Sequence, residues 1–142
     1  TVAQIGEEIF STGFYNNKAK SIKSLCDILV NQYNGEVPSS IDLLVELPGV
    51  GRKTANVLLG NYFGIPGLVV DTHVTRISNL LKLSSSKNPV IIEKDLEKIV
   101  PKEDWIIFTH LIIDHGRAIC IARRPQCFKC VISSYCPSNK LL

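Results

Sequence analysis

Four of the five cysteines, Cys120, Cys127, Cys130 and Cys136, form a C-x6-C-x2-C-x5-C array near the end of the chain. Four thiolates in one short stretch can surround a single metal centre. One C-x2-C pair flanked by two wider gaps differs from the paired C-x2-C knuckles common in structural zinc sites. Spacing specifies ligands rather than the metal, so a structural zinc and an iron–sulfur cluster both suit it. Cys26 stands apart, on the apolar stripe of a predicted helix, and reads as a small buried hydrophobe.

The second chemical signal is Leu47-Pro48-Gly49-Val50-Gly51-Arg52-Lys53-Thr54-Ala55, lying between two helical patterns. Glycines at 49 and 51 permit a tight turn that leaves backbone N–H groups at the start of a helix, where the dipole is positive and a phosphate is favoured. This pattern predicts a helix–hairpin–helix over about 40–60, with Pro48, Gly49, Val50, Gly51 and Arg52 at a nucleic-acid backbone. Such contacts position a protein on DNA without reading its sequence.

Lys53 sits where a cation is poorly placed, because the first turn of a helix presents the positive end of its dipole. An uncharged amine is what nucleophilic attack on a sugar carbon requires, and a nearby carboxylate can move the proton and stabilise the cation that forms. Asp71 is the candidate carboxylate, in a position that also suits a helix N-cap.

These groups must be held by helices. Val2, Ile5 and Ile9 recur at helical spacing. After an interruption, Ala19, Ile22, Leu25, Cys26, Leu29, Val30 and Tyr33 form a long stripe that Asn34-Gly35 ends. Ser39 or Ser40 can cap a short helix carrying Leu43, Leu44 and Leu47, and another runs from about Arg52 to Leu59. Val74, Ile77, Leu80 and Leu81 predict a helix after Asp71, and Val90 to Val100 reads as a charged amphipathic helix. Trp105 to His115 is apolar on most sides and predicts a buried helix. The expected class is all-α, in two parts: 1–65 with the hairpin, and 66–142 with the cysteine loop 120–136.

Composition narrows the setting. With 142 residues and 45% hydrophobic, the chain has material for a core, which excludes disorder and fibrous repeats. The longest apolar runs fall short of the roughly 20 residues a membrane span needs. No basic-then-apolar leader opens the chain, so a secreted protein is not expected and the cysteines are read in a reducing compartment, cytoplasmic or nuclear. The sequence contains no Met and begins Thr1-Val2, which suggests a longer translation product. The net charge of +3 is small, but 116–142 carries Arg117, Arg123, Arg124, Lys129 and Lys140 and no acid, an excess a phosphate backbone can use. Lys18, Lys20 and Lys23 read more simply as a solvated helix face.

Taken together, Leu47 to Val57, Val70-Asp71-Thr72-His73-Val74, His115-Gly116-Arg117 and the four-cysteine array resemble endonuclease III, a base-excision DNA glycosylase with AP-lyase activity in the helix–hairpin–helix superfamily. The resemblance runs from the Gly13-Phe14-Tyr15-Asn16-Asn17 segment to Cys136. It implies a two-lobed all-α fold with DNA bound across the cleft, Lys53 as Schiff-base lysine and Asp71 as catalytic aspartate. It also implies a 4Fe-4S cluster on Cys120, Cys127, Cys130 and Cys136, which favours iron over zinc. The implied partner is double-stranded DNA containing oxidised pyrimidines or abasic sites, bound by a monomer. The base is flipped out, the glycosidic bond cleaved and the strand nicked by β-elimination.

Phe14 falls where family members place an apolar wedge for the gap left by the flipped base, a position where leucine is expected; an aromatic wedge can stack there, and an aromatic packed on its own helix is an equally weighted alternative. Arg117 is placed at DNA by the same resemblance. Family members also carry helices ahead of the segment that begins here, including a Gln-containing stretch, so the helical lobe is expected to be incomplete at its N-terminus. Two rival readings remain. A monofunctional adenine glycosylase acting on mispairs shares the hairpin, aspartate and cluster but typically lacks a lysine at the place of Lys53. A non-catalytic DNA-binding fragment would use the hairpin, tail and metal centre without turnover.

Overall fold

The computed structural model describes residues 1–139, so Lys140 of the basic tail lies outside the described residues. All regular elements among them are helical: α1 (Val2–Glu8), α2 (Tyr15–Gln32), α3 (Ile41–Glu46), α4 (Arg52–Asn61), α5 (Thr72–Leu80), α6 (Pro89–Glu97) and α7 (Trp105–Ala118). Short 3-10 turns lie at Lys102–Asp104, Cys127–Lys129 and Ser133–Tyr135. None of the helices is long and apolar enough to cross a membrane. The chain divides into two compact units, Thr1–Leu59 and Gly60–Leu142, with the division inside α4.

In the first unit α1 begins with a reciprocal cap: the Thr1 hydroxyl accepts from the Gln4 N–H while the Gln4 side chain accepts from the Thr1 amino group. Gly6 of α1 is buried, and a methyl there would rest in ordinary contact with Tyr15 and Ala19 of α2. Residues Asn34 and Gly35 both take positive φ, and the Gly35 N–H closes α2 on the Leu29 carbonyl at 2.8 Å. Ser40 occupies the N-cap of α3 but makes no side-chain capping bond, unlike the cap expected from its type.

The long stripe on α2 is covered much less than its periodicity suggests. Ala19 is its one buried residue, Val30 is 65% exposed, and Cys26 is exposed rather than packed in the core. Periodicity reports that an apolar face exists, and the packing of other elements decides whether it is covered.

The second unit has a continuous core. Leu68 and Val70 lead into α5, and they close with Val74 and Ile77 of α5, Ile92 and Leu96 of α6 and Ile112 of α7 into one buried cluster. Asn88 caps α6 through its side chain, with Pro89 at the first helical position. Helix α7 corrects the expectation of an all-round buried helix: Ile107 and Leu111 are 52% and 61% exposed, and only Thr109, Ile112 and Gly116 are buried. The buried threonine is satisfied, its hydroxyl donating to the Trp105 carbonyl and accepting from the Val69 N–H.

Candidate functional site

The cysteine loop is built onto the end of α7. The His115 carbonyl accepts from both the Ile119 and Cys120 N–H groups, at 2.9 and 2.8 Å, which ends the helix and places Cys120 at the start of the loop. Gln126 returns the chain to the same end, its N–H donating to the Ile119 carbonyl and its side chain to that of Ala118. Two 3-10 turns then space the other cysteines: Cys127 and Cys130 bracket the first, and Cys136 follows the second. The Ser138 hydroxyl donates to the Leu80 carbonyl at 2.9 Å, fastening the far end of the loop to α5.

All four array cysteines are half-buried free thiols that line one cavity of about 60 Å³, floored by Ile77, Leu80, Leu81 and Ile119. Among the described residues no three His, Cys, Asp or Glu side chains gather tightly enough for a single metal ion. Four thiols around a common apolar cavity fit the ligand set of a metal centre.

Two side chains that the spacing of the array did not reveal face these sulfurs. Arg76 of α5 donates from one guanidinium nitrogen to Cys120 Sγ at 3.5 Å and from the other to the Gly116 carbonyl at 3.4 Å. His115 Nε2 lies 3.7 Å from Cys130 Sγ. Burial, with the Arg76 charge nearby, lowers the His115 pKa from the usual imidazole value. Arg76 and Cys120 are 44 residues apart in sequence, so only the packing of α5 on α7 brings them together. That packing leaves no room at Gly116, where a Cβ would stand 2.8 Å from His73 Nδ1 and 3.0 Å from Ile77.

The hairpin belongs to the first unit. The Val50 N–H donates to the Leu47 carbonyl at 3.0 Å to close the turn, and Gly49 takes φ +80°. Gly49 also needs to be small, since a Cβ would come within 2.9 Å of Ser21 Cβ on α2. Gly51 differs: no atom lies within 4 Å of its would-be Cβ, and its carbonyl accepts the Ala55 N–H that starts α4. Ala55, Asn56 and Leu59 form the buried face of α4, leaving Lys53 exposed in its first turn. Pro48 and Val50 are half-buried beside the turn, and Arg52 is the first helical residue.

Asp71 caps α5 as expected. One carboxylate oxygen, Oδ1, accepts from the His73 and Val74 N–H groups at 2.8 and 2.9 Å. No protein partner is found for the other oxygen among the described residues, and the side chain is only half-buried. The carboxylate is thus held by one oxygen and available through the other.

Phe14 stands at the N-cap of α2 in the left-handed region, φ 59°, and is 85% exposed, so it is not packed on its own helix. A bulky residue at positive φ in full solvent is an arrangement that needs a reason outside its local packing. Arg117 lies in the last turn of α7 with 67% of its side chain exposed, 3.8 Å from Asp114. Lys23 pairs with Asp27 one turn along α2, which agrees with a solvated face.

Residues 1–102 match the HhH-GPD superfamily of base excision DNA repair proteins, and the chain belongs to that superfamily. Within it the similarity is to endonuclease III. The chain is 50% identical over 136 residues to endonuclease III of Synechocystis sp., covering 95% of this chain and 62% of the relative. To endonuclease III of Rickettsia conorii it is 45% identical over 141 residues, covering 95% and 67%.

Among solved structures it is similar to a trapped endonuclease III–DNA covalent intermediate, an estranged-adenine complex. The TM-score is 0.93 at 44% identity, covering 99% of this chain and 67% of that one. A thermostable thymine-DNA glycosylase gives a TM-score of 0.87 at 28% identity, covering 100% and 67%. The chain therefore spans roughly two thirds of the length of these relatives.

Proposed function

We propose that the protein to which this chain belongs is a base-excision DNA N-glycosylase with AP-lyase activity, acting as a monomer on double-stranded DNA that carries oxidised pyrimidines or abasic sites. The observation that carries this reading is an exposed Lys53 in the first turn of α4, immediately after a glycine-built hairpin, in a chain 44% identical to an endonuclease III trapped covalently on DNA.

The chemistry follows from these groups. The Lys53 amine nitrogen attacks the anomeric sugar carbon, and the damaged base leaves with the electron pair of the glycosidic bond and takes a proton from water. The nitrogen lone pair then displaces the ring oxygen, which takes up the proton that the amine gave to Asp71, leaving a Schiff base; abstraction of the neighbouring sugar proton then expels the 3′ phosphate by β-elimination. The role assigned to Asp71 is to accept the proton of the amine and to stabilise the cationic sugar through the carboxylate oxygen that the cap leaves available.

Hairpin residues Pro48 to Arg52, with Arg117, hold phosphates, and Phe14 enters the gap left by the flipped base. The hairpin lobe is assigned to 1–65 and the cluster lobe to 66–142, in a cytoplasmic or nuclear setting.

Cys120, Cys127, Cys130 and Cys136 are assigned as ligands of a 4Fe-4S cluster, supported by their shared cavity and apolar floor. When bound, such a cluster supplies four metal–thiolate bonds that tie the 120–136 loop together.

Borohydride trapping of the full-length protein on duplex DNA bearing an oxidised pyrimidine tests the reaction. A covalent adduct is expected from wild type and none from Lys53→Ala. Normal trapping by Lys53→Ala would remove the nucleophile assignment; base release without trapping or nicking points to a monofunctional glycosylase, and no base release from any lesion to a DNA-binding module. For the centre, a brown protein with iron and sulfide is expected, and a colourless one with stoichiometric zinc overturns the cluster.

A further inference from the structure

The His115 contact does more than fill space beside the loop. Its carbonyl holds the Cys120 N–H at 2.8 Å while its ring reaches Cys130 Sγ at 3.7 Å, so one residue of α7 touches two of the four array cysteines. A metal-bound thiolate has no proton to give, so a hydrogen bond across that contact exists only if the imidazole donates through Nε2. Arg76 meets Cys120 from the other side, as a charge rather than a neutral dipole.

We propose that His115 is a positioning residue of the cysteine centre, donating from Nε2 to the Cys130 thiolate and thereby raising the reduction potential of the cluster. The inference rests on the cluster reading above. Reduction adds negative charge that spreads onto the sulfurs, and a hydrogen-bond donor at one of them favours the more negative state. Removing the donor therefore moves the midpoint potential to more negative values. The same bond keeps Cys130 oriented toward the cavity, so its loss also speeds release of iron to a chelator.

The test uses the full-length protein loaded with iron and sulfide, comparing wild type, His115→Phe and His115→Gln by film voltammetry. Phenylalanine keeps a ring of similar size without a donor, and glutamine returns an N–H. The expected result is a more negative midpoint for His115→Phe and partial return for His115→Gln, a pattern that a space-filling role does not produce. Equal midpoints for wild type and His115→Phe, both fully loaded, overturn the inference.

Pulsed EPR of the paramagnetic cluster in wild type labelled with 15N-histidine decides the matter even if His115→Phe fails to retain iron. Coupling to a labelled nitrogen supports the donor, and its absence refutes it. A wild type that takes up no iron and sulfide overturns the cluster reading itself, and this inference with it.

Discussion

In the second unit, apolar side chains from the segment before α5 and from α5, α6 and α7 close over one another, and the cysteine cavity lies against the same helix α5. In the first unit an 18-residue helix buries a single alanine, and the remaining buried apolar residues sit around the hairpin, at Leu44, Leu47, Ala55 and Leu59. The residues assigned to chemistry differ accordingly. Asp71 is tied into its helix by two backbone hydrogen bonds, and the cysteines into a loop fastened at both ends, whereas Lys53 and Phe14 project from scaffolding that fixes only their backbones. One unit presents groups locked by their own bonds, and the other presents groups placed by turn geometry.

Asp71 offers the largest effect that sharpens this contrast, because asparagine caps a helix about as well as aspartate yet carries no charge. With Asp71→Asn, turnover of a damaged duplex is expected to fall by about 10²- to 10⁴-fold, the usual share of a positioned acid–base group. Stability, followed by thermal or urea unfolding, should stay within about 0.5 kcal/mol of wild type. Asp71→Ala removes both roles and should cost about 1 kcal/mol of stability in addition. If Asp71→Asn were destabilising and fully active, the carboxylate would be a cap and nothing more.

Core truncation compares the two units more directly. Leu96 is fully buried in the second unit, so Leu96→Ala should cost about 2–5 kcal/mol by urea unfolding. Val30 on α2 is 65% exposed, so Val30→Ala should cost less than about 0.5 kcal/mol in the 142-residue chain. A loss at Val30 comparable to that at Leu96 would show that the outer face of α2 is covered in solution.

Much of the candidate site could be read from residue types because its determinants are local. The turn at 47–51, the cap at Asp71 and the clustering of four cysteines each depend on near neighbours in sequence, and each is present in the fold. What could not be read depends on packing between distant segments. Hydropathy places Cys26 and the all-round apolar 105–115 segment inside, yet Cys26, Ile107 and Leu111 are exposed, because periodicity does not say which neighbours arrive. Arg76 at Cys120 and the tight seat of Gly116 against His73 follow from how α5 lies on α7, which no local pattern encodes.

The smallest effects separate the two hairpin glycines, which look equivalent in Leu47-Pro48-Gly49-Val50-Gly51. Gly49 combines φ +80° with a Cβ position 2.9 Å from Ser21, so Gly49→Ala incurs both backbone strain and a clash with α2, at least about 1 kcal/mol in unfolding experiments. The turn should also shift, weakening DNA binding in a titration at fixed salt. Gly51 has open space at its Cβ, its φ lies outside the positive range, and its carbonyl starts α4, a position where serine is a good cap. Gly51→Ser should therefore change stability by less than about 0.5 kcal/mol. Its DNA affinity then isolates the backbone approach: an unchanged affinity means that Gly51 serves only the chain's turn, and a marked loss means that phosphate passes close enough for a side chain to obstruct it.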